Sequence, residues 1–399
     1  MTEFAVKIST IISSGITVIH LFLCSVAFAQ ILPEDPAIGG QLLASKGCLT
    51  CHSLKGEGGN IGPDLGKIDL GDTQLDLAAK IWNHTPSMIA GMEKAGIAKP
   101  TLTGQEFTEI TAYLYFLRFF DEPGDPAAGE YIFDQKGCLS CHPVSGKGRK
   151  GELGLDKFPR NISPVFFSQA IWNHGIEMMA RMVQLGKRWP SFADTEMMDL
   201  LEFIRTRAKG AEEPAFFKPG SPKEGKRVFD TKGCNTCHSI RGEGAEGDID
   251  LGKRAKTFYT SLTKIASNMW NKGPEMILVR IAQTQCGLPK FTSKEMSDLL
   301  AYLYFLRYID EPGNIANGEK LFSEMRCSQC HGLEGKRGKL MYIDLSKYRN
   351  TAQTEIVASI WNHSIEMRKA IGVQGIPWLQ LKEGEMADLL AFIRNPQKK

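Results

Sequence analysis

The pentapeptides Cys48-Leu49-Thr50-Cys51-His52, Cys138-Leu139-Ser140-Cys141-His142, Cys234-Asn235-Thr236-Cys237-His238 and Cys327-Ser328-Gln329-Cys330-His331 repeat one pattern four times. Cys-X-X-Cys-His is the spacing of covalent haem attachment, because two thiols one helical turn apart can each add to a vinyl group of the macrocycle. The adjacent imidazole can then bind the iron. A single Cys-X-X-Cys also occurs in zinc sites and thiol–disulfide enzymes. Four copies, each followed by His, favour haem over both alternatives.

The motifs predict four covalently attached heme c groups, each with its iron. The predicted attachment residues are Cys48, Cys51, Cys138, Cys141, Cys234, Cys237, Cys327 and Cys330, and the predicted proximal iron ligands are His52, His142, His238 and His331. Eight of the ten cysteines lie in these motifs, unlike the cysteines of a short disulfide scaffold. Of the other two, Cys24 lies in an apolar leader and Cys286 is predicted to be a buried thiol that packs as a small hydrophobe. A ligand role or a link to another chain is the alternative for Cys286.

The N-terminal segment predicts export. Residues 8–28 are apolar and small, and Ala27-Phe28-Ala29 is typical of a signal-peptide cleavage site, so the mature chain is expected to begin at Gln30. The apolar run is close to the length of a membrane span, which leaves an uncleaved anchor as the alternative. Cleavage is favoured because no positively charged stop-transfer flank follows. The expected location is periplasmic or extracellular.

Length and net charge limit the number of domains and the classes of partner. A chain of 399 residues can form several small domains. Its net charge of +3 gives no reason to expect nucleic acid or an anionic membrane as a partner.

The repeat predicts an all-α fold of four tandem helical domains, each around one covalent haem. The first cysteines of successive motifs are 90, 96 and 93 residues apart. The predicted divisions are a signal peptide at 1–29 and domains at 30–122, 123–210, 211–309 and 310–399. Each domain is expected to contain a first helix, the haem motif, a loop, a helix that ends in Trp-Asn, and an amphipathic last helix.

Two sets of matched residues recur in the first and last helices. Glycines lie nine residues before each motif, at Gly39, Gly129, Gly225 and Gly318, each followed four residues later by an apolar residue, Leu43, Phe133, Phe229 or Phe322. Aromatic residues recur in the last helix, at Tyr113, Phe203, Tyr302 and Phe392. A Gly on a helix face allows another helix to approach closely.

The repeats fall into two classes. Units 1 and 3 share Ala-Tyr-Leu-Tyr-Phe-Leu-Arg at 112–118 and 301–307, whereas units 2 and 4 end in Phe-Ile-Arg at 203–205 and 392–394. This pattern indicates duplication of a two-haem module. Residues 209–222 would be the joint between the halves, and flexing is expected to concentrate there.

Each unit resembles a class I c-type cytochrome domain, so the chain is similar to a tandem tetrahaem cytochrome c. The resemblance implies that the first helix crosses the last through the Gly/aromatic contact. It also implies that a loop carbonyl holds the proximal imidazole. Unit 1 keeps the family's loop as Gly62-Pro63-Asp64-Leu65, and the other units lack its Pro. The family's usual sixth ligand is a Met before a Pro ahead of the last helix, where this chain has Lys99, Trp189, Leu288 and Ile376.

The sixth ligand must therefore come from another position. One candidate set is Met88, Met178, Met276 and Met367, and the other is His84, His174 and His363, with Lys272 replacing His in unit 3. Met is predicted because it recurs in all four units. A helix end at Gly175 and Gly273 and a new first turn at Pro86 and Pro274 would also place Met on a rigid turn. Met as core filler is the alternative.

Tryptophans mark the same helix. Trp82, Trp172, Trp270 and Trp361 are predicted to pack beside the macrocycle, with the indole N–H reaching a propionate. Trp189 and Trp378 occur in units 2 and 4 only and are predicted to be lids or packing between units.

The predicted function is electron transfer. A haem with two protein ligands has no open position for substrate, so no catalytic residues are expected. The predicted partners are a redox protein donor and acceptor, with a membrane oxidoreductase as one candidate. The alternatives are a haem-bearing subunit of a larger oxidoreductase, or a multihaem reductase or peroxidase with one open haem.

Overall fold

The computed structural model describes residues 32–148, 154–193, 195–211, 219–245, 249–285, 287–333 and 343–395. The predicted leader, Cys24, Cys286 and residues 212–218 of the predicted joint lie outside the described residues. Within the described ranges, no helix combines the length and the apolar composition needed to cross a membrane.

Helices carry the fold, which confirms the predicted all-α class. They are α1 (Ile38–Ser45), α2 (Gln74–Ala95) and α3 (Gly104–Phe116) in unit 1, α4 (Pro126–Gln135), α5 (Pro164–Gln184) and α6 (Glu196–Arg207) in unit 2, α7 (Pro222–Thr231), α8 (Leu251–Phe258), α9 (Leu262–Thr284) and α10 (Ser293–Phe305) in unit 3, and α11 (Ile315–Glu324), α12 (Gln353–Val373) and α13 (Glu385–Arg394) in unit 4. Among the described residues, two-residue strands form three pairs beside the motifs. The antiparallel pairs are β1 (Ser53–Leu54) with β2 (Glu57–Gly58) and β3 (Ser239–Ile240) with β4 (Glu243–Gly244), and the parallel pair is β5 (His331–Gly332) with β6 (Ile343–Asp344).

The first and last helices of each unit cross at the predicted Gly/aromatic contact. A Cβ added to Gly225 would lie 2.0 Å from the Asp298 carbonyl oxygen and 2.6 Å from Cβ of Tyr302. The same atom on Gly318 would lie 2.0 Å from the Asp388 carbonyl oxygen. Since real Cβ atoms do not approach backbone that closely, only Gly fits at the crossing. Gly39 and Gly129 make the equivalent contacts.

An acidic residue four positions before the matched aromatic also stabilises this helix crossing. This contact was not predicted from the sequence. Asp298 accepts a hydrogen bond from the Ser221 backbone N–H (2.9 Å), at the residue that caps α7. The other units repeat the contact with Glu109, Asp199 and Asp388. Acid and aromatic lie one turn apart on one helix face, so their shared spacing was the available signal.

Alanine at this crossing should destabilise the protein. Gly318→Ala forces a Cβ into the α13 backbone and should lower the free energy of unfolding by about 1–3 kcal/mol, the usual cost of overpacking. Gly372→Ala in the same unit is the matched control, because a Cβ there meets nothing within 4 Å. That substitution should stabilise the helix by about 0.5–1 kcal/mol. Urea unfolding of the haem-loaded proteins measures both, and equal midpoints for the two variants would contradict the prediction.

The four units associate as two pairs, and one of these pairs joins units that are not consecutive in the chain. Helices α2 and α3 of unit 1 contact α12 and α13 of unit 4, and α5 and α6 of unit 2 contact α9 and α10 of unit 3. Units 1 and 3 share one continuous buried apolar cluster. Within that cluster Tyr115 stacks on Tyr308 with ring centroids 3.7 Å apart, and the Tyr304 hydroxyl donates to the Tyr115 carbonyl. The spatial order of the units is therefore 4–1–3–2.

Trp-Asn dipeptides hold the units of each pair together, which corrects the predicted propionate contact. The Trp82 indole donates to the Leu379 carbonyl (2.9 Å), and the Asn83 amide exchanges two hydrogen bonds of 2.7 Å with the Leu381 backbone. Trp361 and Asn362 return the same contacts to unit 1, at Pro100 and Leu102. Trp172-Asn173 and Trp270-Asn271 repeat this exchange between units 2 and 3.

Trp189 and Trp378 also join paired units. Of their two predicted roles, lids or packing between units, the structure shows the second. Pro86 and Pro274 lie inside α2 and α9. Because Pro has no N–H, the carbonyl four residues earlier loses its helical donor. The Trp378 indole donates to the freed Trp82 carbonyl (3.0 Å) and stacks on the Trp82 ring. Trp189 does the same for Trp270, across the pair formed by units 2 and 3.

Candidate functional site

A residue with a left-handed backbone conformation directly precedes each Cys-X-X-Cys-His motif. Gly47 precedes Cys48 with φ of +76°, and Arg326 takes the same place in unit 4 with φ of +59°. This residue ends the first helix and starts a short 3₁₀ turn, Cys48–Thr50 in unit 1. The His52 backbone N–H then donates to the Cys48 carbonyl (3.0 Å). The turn thus presents two thiols and one imidazole together.

The first thiol of each motif differs in pKa from a redox-active thiol. All eight motif cysteines are free and half-buried. Burial raises the pKa of the first thiol in each motif, to about 11 for Cys138, Cys234 and Cys327. Catalytic and redox-sensing thiols instead have a lowered pKa, because the thiolate is the nucleophile. The raised pKa of the first thiol in each motif therefore argues against reversible thiol–disulfide exchange at these sites.

A backbone carbonyl orients the proximal imidazole in unit 1. Nδ1 of His52 lies 2.9 Å from the Pro63 carbonyl oxygen, the contact that the resemblance implied. This bond leaves Nε2 for a metal and fixes the tautomer. In unit 3, burial lowers the pKa of His238, while an interaction with the Ile249 backbone acts in the opposite direction. Ile249 occupies the place of Pro63, but Nδ1 of His238 is buried and makes no hydrogen bond to the described residues. The carbonyl contact seen at His52 is therefore not repeated as a hydrogen bond in unit 3.

Cavities beside the motifs fit a large apolar cofactor. In unit 1 a cavity of about 310 Å³ is lined by Cys48, His52 and His84 together with apolar side chains such as Leu65. In unit 4 a cavity of about 510 Å³ is lined by the equivalent Cys327, His331 and His363. Each cavity brings together a thiol, two imidazoles and an apolar wall. This donor set can hold a covalently attached haem.

Two imidazoles face each other in three units. The ring centroids of the motif His and the His after Trp-Asn are 6.3 Å apart in unit 1, 6.0 Å in unit 2 and 6.5 Å in unit 4. Imidazole–metal bonds of about 2 Å, plus about 1 Å from ring nitrogen to ring centre, give about 6 Å for two imidazoles that share one metal. Burial and the proximity of His52 lower the pKa of His84, which favours the neutral form that binds metal.

The helix that carries these residues is continuous, which corrects the predicted break. α2 runs from Gln74 to Ala95 through Pro86, and α5 and α9 run through Gly175 and Gly273. Tertiary contacts override the local signals, because a tryptophan of the paired unit satisfies the carbonyl that Pro86 frees. The rigid first turn that favoured Met over His is therefore absent. Met88 lies one helical turn beyond His84, and both line the unit 1 cavity.

Residues at the position of the family's usual Met make contacts between paired units. Nζ of Lys99 donates to the Trp361 carbonyl (2.7 Å), and Trp189 stacks on Trp270. In unit 4 the residue with these contacts is Trp378, so the expected equivalent, Ile376, is two residues out of register. The pattern of a Pro after the ligand position predicted the wrong residue in unit 4, because Leu379 stands where Pro100 stands in unit 1.

Unit 3 has a different distal side. Lys272 replaces the second His, and its Nζ lies 3.1 Å from a Glu275 carboxylate oxygen. The Lys272 side chain is 64% exposed. Met276 follows one turn later in α9 and is half-buried.

Comparison with known proteins gives one result. The family described as Cytochrome c matches the chain at residues 37–117, 222–306 and 315–397. No curated protein and no solved structure matches the chain. The three matched segments cover more than half of the chain and correspond to units 1, 3 and 4.

Proposed function

Because the chain belongs to the cytochrome c family and is therefore a haem-bearing electron-transfer protein, we propose that it is an exported tetrahaem carrier. Its domains would be the four class I units at 30–122, 123–210, 211–309 and 310–399, after a signal peptide cleaved behind Ala29. It would work in the periplasm or outside the cell, between a redox protein donor and acceptor. A covalently bound haem supplies one-electron chemistry at a potential set by its ligands and burial.

The residues proposed to bind the four irons differ between units. On the proximal side they are His52, His142, His238 and His331. On the distal side they are His84, His174 and His363 in units 1, 2 and 4, because these rings face the proximal imidazoles at the separation that a shared metal requires. Met276 is the proposed distal ligand of unit 3, where no second imidazole exists. Met88, Met178 and Met367 are the alternative ligands, one turn further along each helix.

The facing imidazoles are the observation that supports electron transfer over catalysis. Two protein ligands for each iron would leave no position for substrate, and the chain's residues would then hold the metal and tune its potential. The paired unit adds apolar walls, such as Trp361 and Val357 around the unit 1 cavity, which exclude water and affect the potential.

Unit 3 is the one place where an enzyme remains a second candidate. Lys272 takes the position of the second His and pairs with Glu275. If Met276 did not bind, the unit 3 iron would be open to a small ligand, as in a reductase or peroxidase.

An anaerobic titration with carbon monoxide tests the proposed function. The oxidised protein should take up one electron per haem and return all of them to an added oxidant. The reduced protein should bind carbon monoxide slowly and below one equivalent. Rapid binding of one equivalent, lost in a variant without the unit 3 thioethers (Cys234→Ser with Cys237→Ser), would favour the enzyme. Failure to reduce one of the haems would contradict a continuous carrier.

A further inference from the structure

The cavities of units 1 and 4 share one wall. Trp82, Ile360 and Met386 line both of them. Trp82 comes from unit 1, whereas Ile360 and Met386 come from unit 4. A single layer of side chains therefore separates two cavities whose haem motifs are far apart in sequence.

Units 2 and 3 form the corresponding wall. A small cavity between them is lined by Ile171 and Trp172 of unit 2 and by Met269, Trp270 and Met296 of unit 3. Met296 is the equivalent of Met386, since each is a buried Met in the first turn of the last helix. Reciprocal Trp-Asn contacts fix both walls. The two pairs thus place the same residue types between neighbouring sites.

We propose that the chain holds its haem sites as two tightly coupled pairs, 1–4 and 2–3, each pair divided by one side-chain layer around the paired tryptophans. The pairs meet where units 1 and 3 share an apolar cluster. The order of neighbouring sites is then 4–1–3–2, and units 3 and 4, adjacent in sequence, are separated by unit 1. This inference rests on the proposed function, because it concerns the haem groups assigned there.

Coupled pairs make a specific electrochemical prediction. An electron on one site disfavours an electron on a close neighbour in a low-dielectric interior, so two close sites titrate in two separate steps. The haem site of unit 3, called site 3, can be followed separately if Met276 is its ligand, because it then has a sulfur-to-iron absorbance. His174→Met gives the same ligand pair to unit 2, the neighbour of unit 3 in space. His363→Met gives it to unit 4, the next unit in sequence.

The test is a potentiometric titration of both variants followed at the sulfur-to-iron band. In His174→Met the two sulfur-ligated sites should titrate in two separate steps. In His363→Met they should titrate within one step, because unit 1 lies between units 3 and 4. Equal separation in both variants, or separation only in His363→Met, would overturn the proposed order.

Haem loss provides a second measurement that does not depend on the distal substitutions. Removing the unit 2 thioethers (Cys138→Ser with Cys141→Ser) should shift the midpoint of site 3, and removing those of unit 4 (Cys327→Ser with Cys330→Ser) should leave it unchanged. The reverse result would overturn the pairing. If the wild-type protein shows no sulfur-to-iron band, the distal ligand assignment fails. Site 3 is then followed as the component lost in Cys234→Ser with Cys237→Ser, and the pairing is tested separately.

Discussion

Met276→Leu should remove the entire sulfur-to-iron charge-transfer absorbance of the oxidised protein. The reason is that unit 3 alone lacks a second imidazole, because Lys272 replaces the His of the other units and is paired with Glu275 at 3.1 Å. Thioether ligation should also give site 3 the highest potential of the four, because Met in place of His raises the potential of a haem. The near-infrared spectrum and a redox titration measure the two effects.

Matched variants in unit 1 complete this prediction. Met88→Leu should leave the sulfur-to-iron band unchanged, whereas His84→Ala should open one site, so that the reduced protein rapidly binds one equivalent of carbon monoxide. The alternative with four Met ligands makes the opposite prediction. In that case Met276→Leu would remove only a quarter of the absorbance and Met88→Leu another quarter, and the proposed imidazole pairs would be wrong.

Cys138→Ser with Cys141→Ser should lower the number of covalent haems from four to three. Unit 2 is the decisive unit, because the family match leaves out residues 123–210. Its structure nevertheless contains the Gly129 crossing and an imidazole pair with ring centroids 6.0 Å apart. Intact mass after denaturation should equal the chain from Gln30 plus four haems in the wild type, and plus three in the variant.

Cys286→Ser is the control for this experiment, since Cys286 lies outside every motif. That variant should retain four haems. A wild-type mass with three haems that does not change in the Cys138/Cys141 variant would show that unit 2 carries none, and the protein would then be a trihaem carrier.

Part of each individual unit could be predicted. The position of Gly225 before its motif and the aromatic Tyr302 carried the resemblance to c-type cytochrome domains, and that resemblance implied the helix crossing. The Pro63 loop carried the same resemblance, which implied the carbonyl that holds His52. In each case the interacting residues carry the signal themselves.

Pairing between units could not be predicted in this way. Trp82 and Asn83 donate to backbone carbonyls of residues 379 and 381, and a carbonyl belongs to every residue type. The partner therefore leaves no mark in the sequence. The same contacts explain why α2 continues through Pro86, since its breaking effect was offset by an indole that lies 292 residues later in the chain, at Trp378.

The 4–1–3–2 order also bears on how the chain is synthesised. The pairs are nested, with 2–3 enclosed by 1–4, so the inner pair is complete when about three quarters of the chain has emerged. Unit 1 is made first, yet the indole of Trp378 that satisfies its Trp82 carbonyl is made last. Domains generally fold in the order of their synthesis, and exposed apolar surface in the interval favours misassembly. The unit 1 surface around Trp82 therefore stays uncovered until unit 4 has been made, and a premature stop before unit 4 would leave that surface exposed.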